Sequence, residues 1–270
     1  MKMSKSYINL LLLISFLLTS CSTVPITGRK QLIIVPSTTM LSMSFQQYDE
    51  FLKTNKLSND QKQTRIVKKV GRKIQKAVEQ YFAEKNISYE LNGYDWEFNL
   101  VESPEANAWC MPGGKVVVYT GLLPITKDEA GLAVVMGHEI AHAVAKHGDE
   151  RMSHGLVAQM GGTALSKALN EKPEKTQQLW MTAFGIGAQY GIILPYSRLQ
   201  ESEADHLGLI FMAMAGYDPN KAIGFLERMA QTKNDKAPLE FMSTHPSDKT
   251  RIRKAREAIP EVMEYYKKST

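Results

Sequence analysis

Two histidines and a glutamate in one short segment carry the clearest chemistry in this sequence. Residues 138–142 read His-Glu-Ile-Ala-His, so the two histidines stand four residues apart, about one helical turn, and share a face. That spacing suits two neighbouring corners of a tetrahedral zinc site, and Glu139 beside them can act as general base toward the attacking water. The motif predicts a metallohydrolase, provided that it lies on a helix and that a third ligand exists.

The residues around the motif predict that helix. Residues 126–129 read Thr-Lys-Asp-Glu, which has the form of a capping box, and Gly148 is the expected C-terminal cap. His147 follows His138 by nine residues, so we expect it on the opposite helix face, interacting with the C-terminal dipole. Ala145 and Gly148 stand where the longer metzincin pattern needs glycine and histidine, which excludes that class.

A second acidic segment supplies the candidate third ligand. Residues 201–205 read Glu-Ser-Glu-Ala-Asp, and on a helix Glu201 and Asp205 share a face. Glu203 points about 160° away from Glu201 and is expected to face solvent. Because a ligating histidine usually donates its second ring N–H to a carboxylate, we predict Glu201 as the ligand and Asp205 as the orienting carboxylate.

At this point the sequence resembles the zinc peptidases related to the CAAX prenyl protease, HtpX and Oma. The E-x-x-A-D pattern of that family falls on Glu201 and Asp205. Residues 107–114 resemble its N-A-x-x-x-P-G-G segment, residues 24–32 resemble the start of its lipoprotein members, and residues 244–246 resemble its T-H-P segment. The matches span most of the chain after residue 20.

The resemblance implies an endopeptidase with one Zn²⁺ per chain, held by His138, His142 and Glu201. It implies an α+β, mostly helical fold with a zincin-like (gluzincin) core and a small β-sheet beside the H-E-x-x-H helix. A strand of that sheet would offer its edge to the substrate backbone. The residues expected at that edge are Asn107, Ala108, Val116, Val117 and Val118.

His245 keeps two interpretations in the sequence. Its Thr-His-Pro setting resembles a segment that approaches the metal in some relatives, where it would stabilise an oxyanion or act as an inhibitory fourth ligand. The alternative is an ordinary turn histidine before Pro246.

The first residues predict export and lipidation. Lys2 and Lys5 precede an apolar core at residues 8–18, too short to span a bilayer of about 30 Å, so residues 1–20 are predicted as a signal peptide. The segment ending at Cys21 resembles a bacterial lipobox, which implies a lipid on that cysteine and attachment to a membrane. We expect residues 21–36 to be an extended tether and residues 37–270 a single peptidase domain. The expected location is the bacterial envelope, at the outer membrane facing the periplasm.

Charge and cysteine content narrow the function classes. Removing Lys2 and Lys5 lowers the formal net charge from +5 to +3, and no motif supports nucleic-acid binding. A lipidated Cys21 leaves Cys110 without an intramolecular disulfide partner. We interpret Cys110 as an apolar packing residue near the cleft; a deformylase-like site, with Cys110 as a metal ligand, is the alternative.

Periodicity predicts the elements around the site. Residues 60–86 have the period of a solvated helix over the core, and residues 96–100 and 116–120 read as strands. Residues 155–194 are rich in small and apolar residues but contain no apolar run long enough to span a membrane. They predict close-packed internal helices, with a mobile lid as the alternative.

The predicted function is therefore quality control by a lipid-anchored zinc endopeptidase, whose substrates and partners are misfolded or unassembled envelope proteins. The alternative is a membrane-tethered chaperone or assembly factor with a structural zinc site. The sequence does not indicate an oligomeric state.

Overall fold

The computed structural model describes residues 21–189, 194–232 and 249–269. These residues form five strands and nine α-helices. The strands are β1 Cys21–Thr23, β2 Lys30–Leu32, β3 Glu97–Val101, β4 Ala108–Met111 and β5 Lys115–Tyr119. The helices are α1 Ser37–Thr54, α2 Gln61–Glu84, α3 Leu123–Thr126, α4 Glu129–Val144, α5 His147–Ala168, α6 Glu174–Ala188, α7 Leu194–Met214, α8 Lys221–Thr232 and α9 Lys249–Ser269. The expected α+β, mostly helical fold class is confirmed.

The helix predicted for residues 60–86 is α2, and it covers the core as expected. Asp60 caps it, accepting hydrogen bonds from the backbone N–H groups of Lys62 and Gln63 at 2.9 and 3.0 Å. Its apolar side is buried against β3, α4 and α7, while its lysines and arginines line the other side. The apolar side of α2 therefore packs against both β3 of the sheet and the H-E-x-x-H helix α4.

The main sheet has the strand order β3-β5-β4, with β3 parallel and β4 antiparallel to β5. Strands β3 and β5 match the predicted strands. The expectation that Val116–Val118 offer a free edge was wrong, because β5 is the central strand and pairs on both sides. The outer strand is β4, which begins at Ala108 and turns into β5 through Gly113 and Gly114, both at positive φ.

Helix α4 carries the H-E-x-x-H motif and is almost entirely buried. Its cap is Asp128, whose carboxylate accepts from the Gly131 N–H at 2.8 Å, and not Thr126. The predicted capping box was wrong because Thr126 belongs to the short preceding helix α3. Helices α4 and α7 meet at Gly137 and Gly208, where a Cβ on Gly137 would lie 2.8 Å from the Gly208 carbonyl oxygen. This contact brings the two ligand-bearing helices together.

The end of α4 differs from the prediction. The helix stops at Val144, and Lys146 adopts a left-handed conformation with φ 58°. Helix α5 then begins at His147, so Gly148 does not cap α4. A nine-residue helical extrapolation from His138 therefore fails, because the helix does not continue that far.

The segment expected to be a tether instead packs onto the domain. Strands β1 and β2 form an antiparallel hairpin, Val24 is 1% exposed in the main hydrophobic core, and the Ile34 N–H donates to Ser153 Oγ at 3.0 Å. Thr27 and Arg29 of the hairpin loop bond to Glu203 and Glu150 and hold the hairpin against the domain. The prediction that residues 21–36 form an extended tether was therefore wrong. The predicted signal peptide lies outside the described residues.

Helix α6 and the part of α5 that follows Ser153 form an exposed pair of helices. From His154 to Gln189 no residue is buried, and Leu179 and Trp180 are 69% and 55% exposed. The expectation of close-packed internal helices was therefore wrong for residues 155–189, because these helices pack mainly on each other. None of the helices in the described ranges is long and apolar enough to cross a bilayer.

Candidate metal centre

Three side chains converge where α4 meets α7. His138 Nε2 and His142 Nε2 lie 3.1 Å apart, His142 Nε2 lies 3.2 Å from Glu201 Oε1, and His138 Nε2 lies 3.4 Å from Glu201 Oε2. Across the described part of the chain, these three residues form the one group of histidine, cysteine and acidic side chains close enough to share a metal ion. The structure thus brings together all three predicted ligands.

The triangle of ligand atoms has the size that zinc requires. Zinc bonds of about 2.0–2.1 Å meeting at a tetrahedral angle separate the ligand atoms by about 3.3 Å. The three observed separations of 3.1, 3.2 and 3.4 Å surround that value. Two imidazole nitrogens and one carboxylate also form a donor set typical of catalytic zinc, which leaves a further position for water or substrate.

Asp205 orients the first histidine from behind. Its Oδ1 lies 3.0 Å from His138 Nδ1, so the carboxylate accepts the ring N–H and Nε2 faces Glu201. Arg251 of α9 donates to both oxygens of Asp205, at 2.7 and 2.6 Å. Burial favours a higher pKa for Asp205, but Arg251 and His138 hold it well below its ordinary value. We call His138, Asp205 and Arg251 the His138 arm.

The second histidine has a longer support. His142 Nδ1 lies 2.8 Å from Nδ1 of His147, and His147 Nε2 lies 3.0 Å from Glu203 Oε2. The left-handed turn at Lys146 places His147 there, fully buried, where burial lowers its pKa. Glu203 is only 9% exposed, so its predicted solvent-facing position was wrong. It does point away from Glu201, but that side of α7 is covered by α5 and the β1–β2 hairpin.

Arg29 completes this second support from the loop between β1 and β2. Its Nε donates to Glu203 Oε2 at 2.9 Å, and burial of Glu203 is outweighed by hydrogen bonds and charge, which lower its pKa to about 2. We call His142, His147, Glu203 and Arg29 the His142 arm.

Glu139 lies beside the ligands, 5% exposed on α4. Cys110 of β4 is close enough for the charge of Glu139 to act on its thiol, whose pKa burial and that charge both raise. A thiol held in its protonated form is a poor metal ligand. Since the metal-binding group contains Glu201 and not Cys110, the deformylase-like alternative loses its support.

Strand β4 runs along α4 and so passes beside the ligands. Asn107 O accepts from the Tyr119 N–H at 3.0 Å. In an antiparallel pair every second residue hydrogen-bonds to the partner strand, so Asn107 and Trp109 bond toward β5. The backbone groups of Ala108 and Cys110 therefore point away from β5, toward the outer edge. The Asn107 side chain reaches the Ala108 N–H at 2.9 Å. Ala108 thus lies on the outer strand and Asn107 directly before it, while their contact with a substrate stays a prediction.

Comparison with known proteins agrees with this geometry. Residues 68–259 match Peptidase family M48. The chain belongs to peptidase family M48. Peptidases of this family are zinc-dependent, so the predicted cofactor and the predicted family are confirmed.

Several M48 relatives carry functional names. The chain is 40% identical over 173 residues to mitochondrial metalloendopeptidase OMA1 of Schizosaccharomyces pombe, covering 63% of this chain and 49% of the relative. It is 31% identical over 264 residues to bovine metalloendopeptidase OMA1, covering 94% of this chain and 49% of the relative. It is 31% identical over 169 residues to the Beta-barrel assembly-enhancing protease of Escherichia coli, covering 60% of this chain and 34% of the relative. The chain spans about half the length of these relatives or less.

Two parts of the M48 site escaped prediction from the sequence. The His142 arm was missed, although the acidic residues Asp149 and Glu150 indicate a new helix beginning near His147. Strand β4 was missed as a strand, although its residues were recognised as a motif. His245 lies outside the described residues.

Proposed function

We propose that this M48 chain is a zinc-dependent endopeptidase acting on unfolded or unassembled proteins of the cell envelope. The observation that carries the proposal is the ligand triangle of His138, His142 and Glu201 with Glu139 next to it on the same helix. Bound zinc supplies positive charge that acidifies water and polarises a carbonyl group. Among the described residues, Glu139 is the acid–base group nearest in sequence to these ligands.

The side chains around the metal position have defined tasks in peptide hydrolysis. Glu139 takes a proton from the attacking water and returns it to the leaving amine. Asp205 keeps the His138 ring proton on Nδ1, so that Nε2 faces the metal position. Burial of α4 and the protonated Cys110 thiol keep the surroundings of Glu139 poor in water.

Substrate binding is assigned to the outer edge of β4. An extended peptide can add there as a further strand and hydrogen-bond to the outward C=O of Ala108 and the outward N–H and C=O of Cys110, since the Asn107 side chain already accepts from the Ala108 N–H. Backbone pairing reads few side chains, which suits a protease that acts on many unfolded chains. The name of the mitochondrial relative, a metalloendopeptidase, supports cleavage of peptide bonds, and that of the bacterial relative, a Beta-barrel assembly-enhancing protease, supports a link to protein assembly.

Replacing Glu139 by Gln tests the enzyme proposal. We expect zinc content and fold to be unchanged, while hydrolysis of a labelled unfolded protein falls about 10²- to 10⁴-fold because the general base is lost. The matched control is Glu227→Gln, which removes an exposed ion pair with Arg256 and should leave the rate unchanged. Full hydrolysis by the Glu139→Gln variant would overturn the proposal.

A chaperone function is the second candidate, favoured by the exposed apolar residues of α5 and α6. Met160, Leu179, Trp180 and Ile186 are all more than half exposed and could contact unfolded chains without cleaving them. The same Glu139→Gln variant separates the two functions, since a chaperone would still suppress aggregation of an unfolded protein and still support growth.

Envelope attachment through a lipid on Cys21 belongs to the proposal as well. The lipobox-like sequence before Cys21 and the bacterial assembly-enhancing relative support it. In cells fed a labelled fatty acid, the wild-type protein should be labelled and found with the outer membrane. The Cys21→Ala variant should be unlabelled and released, and labelling that persists in this variant would contradict the lipid site.

A further inference from the structure

A buried polar network lies behind His142, on the side away from Glu201. His147, Glu150 and Gln200 are each 0% exposed. His147 contacts His142 and Glu203, while Gln200 donates to Glu150 Oε2 at 2.7 Å. Buried polar groups of this kind are costly unless each is satisfied, so their arrangement constrains the positions of all members.

The proton positions in this network follow from its atoms. A carboxylate only accepts, so His147 Nε2 carries the hydrogen that is donated to Glu203. A neutral His147 then has a lone pair on Nδ1, and His142 must donate its own Nδ1 hydrogen to it. This leaves the lone pair of His142 on Nε2, the atom that lies 3.2 Å from Glu201.

We propose that Glu203 and His147 position the metal ligand His142, and that Arg29 of the N-terminal hairpin holds Glu203 in place for this task. The sequence Glu203–His147–His142 performs for the second ligand what Asp205 performs for His138. A His147 proton moved to Nδ1 would force the His142 proton onto Nε2, where it would face Glu201 and exclude a metal.

Arg29 is fixed strongly enough to act as the outer anchor. It donates to both oxygens of Glu150, at 2.8 and 2.7 Å, in addition to its bond with Glu203. Thr27 of the same loop also donates to Glu203 Oε1. Bidentate guanidinium pairs are geometrically specific, and a lysine cannot reproduce them. The β1–β2 hairpin is therefore a working part of the metal centre.

The inference rests on the zinc site of the proposed function but not on peptide hydrolysis. Its measurements are zinc affinity and the protonation of His142, so it stands even if the natural reaction differs. Conversely, full hydrolysis by Glu139→Gln would overturn the proposed enzyme function and leave the inference about the network untouched.

The first experiment measures zinc dissociation constants by chelator competition for Glu203→Gln, His147→Gln and the double variant of the full chain. We expect each single change to weaken zinc binding about 10- to 100-fold, as for other residues that orient a metal ligand. Because Glu203 acts on His142 only through His147, the double variant should bind zinc no more weakly than the single variant with the lower affinity. Multiplying effects, or unchanged affinity in folded variants, would overturn the proposal. Ser202→Ala, on the same helix, is the matched control.

The second experiment reads the ring proton directly. In the zinc-loaded wild type, ¹⁵N–¹H spectra tuned to histidine rings should show His142 protonated on Nδ1, with metal at Nε2. The opposite arrangement would sink the proposal. If Glu203→Gln fails to fold, Arg29→Lys replaces it: this variant keeps the charge, and we expect several-fold weaker zinc binding and a faster-exchanging His142 ring proton. Unchanged values for both in Arg29→Lys would remove Arg29 from its assigned task.

Discussion

The two histidine ligands are held in different ways, although both arms end in an arginine. In the His138 arm a carboxylate contacts the ligand directly, with 3.0 Å between His138 Nδ1 and Asp205 Oδ1. In the His142 arm a second histidine, His147, stands between the ligand and its carboxylate. Despite burial, Arg251 and His138 keep the pKa of Asp205 low. Hydrogen bonds from His147, Thr27 and Arg29 keep the pKa of Glu203 low.

The difference follows from the geometry of α7. Glu201 and Asp205 are one turn apart, so that face of the helix presents a ligand and an orienting carboxylate together. Glu203 points to another side of the same helix and does not reach His142 itself. His147, brought back by the left-handed turn at Lys146, bridges that gap. One helix thereby supports both histidines of α4 from two of its faces.

The largest effect is expected from Glu201, on which both arms converge. Glu201→Gln removes the ligand charge that faces both Nε2 atoms, at 3.4 and 3.2 Å. We expect zinc affinity to fall by more than about 100-fold, beyond the range for residues that only orient ligands. Metal analysis of the purified variant beside the wild type measures this. Zinc retained at full affinity would remove Glu201 from the ligand set and make the comparison of the arms meaningless.

Asp205→Asn tests the direct arm against the bridged one. The amide keeps the shape of the carboxylate but loses its charge, so its hold on the His138 ring weakens and Arg251 loses its ion pair with position 205. We expect zinc affinity to fall about 10- to 100-fold. The fall should exceed that of Glu203→Gln, because His147 still contacts His142 in the latter variant. Equal or reversed effects in the same competition assay would show that His147 does not keep His142 in position once Glu203 is replaced.

The smallest effect on zinc is expected from Asp149. This carboxylate is buried, as Asp205 and Glu203 largely are, but no arginine lowers its pKa, so it shows what burial does without such a partner. Burial raises its pKa to about 6, although the charge of Lys146 opposes this, so folding favours its protonated form. Stability from this group is present below its ordinary pKa near 4 and lost as the pH rises toward about 6. Asp149→Asn should therefore raise the free energy of unfolding at pH 7.5 by up to about 3 kcal/mol, and by less at pH 5.

Urea unfolding of the wild type and Asp149→Asn at the two pH values measures this effect, with zinc affinity as the control quantity. An equal difference in stability at both values would show that Asp149 titrates normally. In that case Asp149 would not serve as the contrast to Asp205 and Glu203. Those two carboxylates are also largely buried, but their charged and hydrogen-bonding partners lower their pKa values.

Periodicity within one helix was enough to predict the His138 side of the site. The spacing of His138 and His142, and the shared face of Glu201 and Asp205, depend only on helical geometry, which the sequence displays directly. The same reasoning placed α2 and the two strands β3 and β5.

The His142 side depends on contacts that no local pattern encodes. His147 was misassigned because α4 was extended past Val144, and a single left-handed residue redirected the chain. Glu203 was taken as solvent-facing because it points away from Glu201 on α7, and the hairpin that covers that side of the helix was expected to be a tether. The edge position of β4, and not of β5, likewise results from strand order, which the chain sets only in three dimensions.

The origin of the two arginines sets an order of events in folding. Arg29 lies before the first helix and Arg251 lies in the last described helix, so the two arms join segments from far apart in the chain. Contacts between distant segments form late, because closing long loops costs entropy before any contact repays it. Full zinc affinity is therefore expected only when folding is nearly complete. A newly synthesised chain would thus pass through its unfolded stages without a complete metal centre.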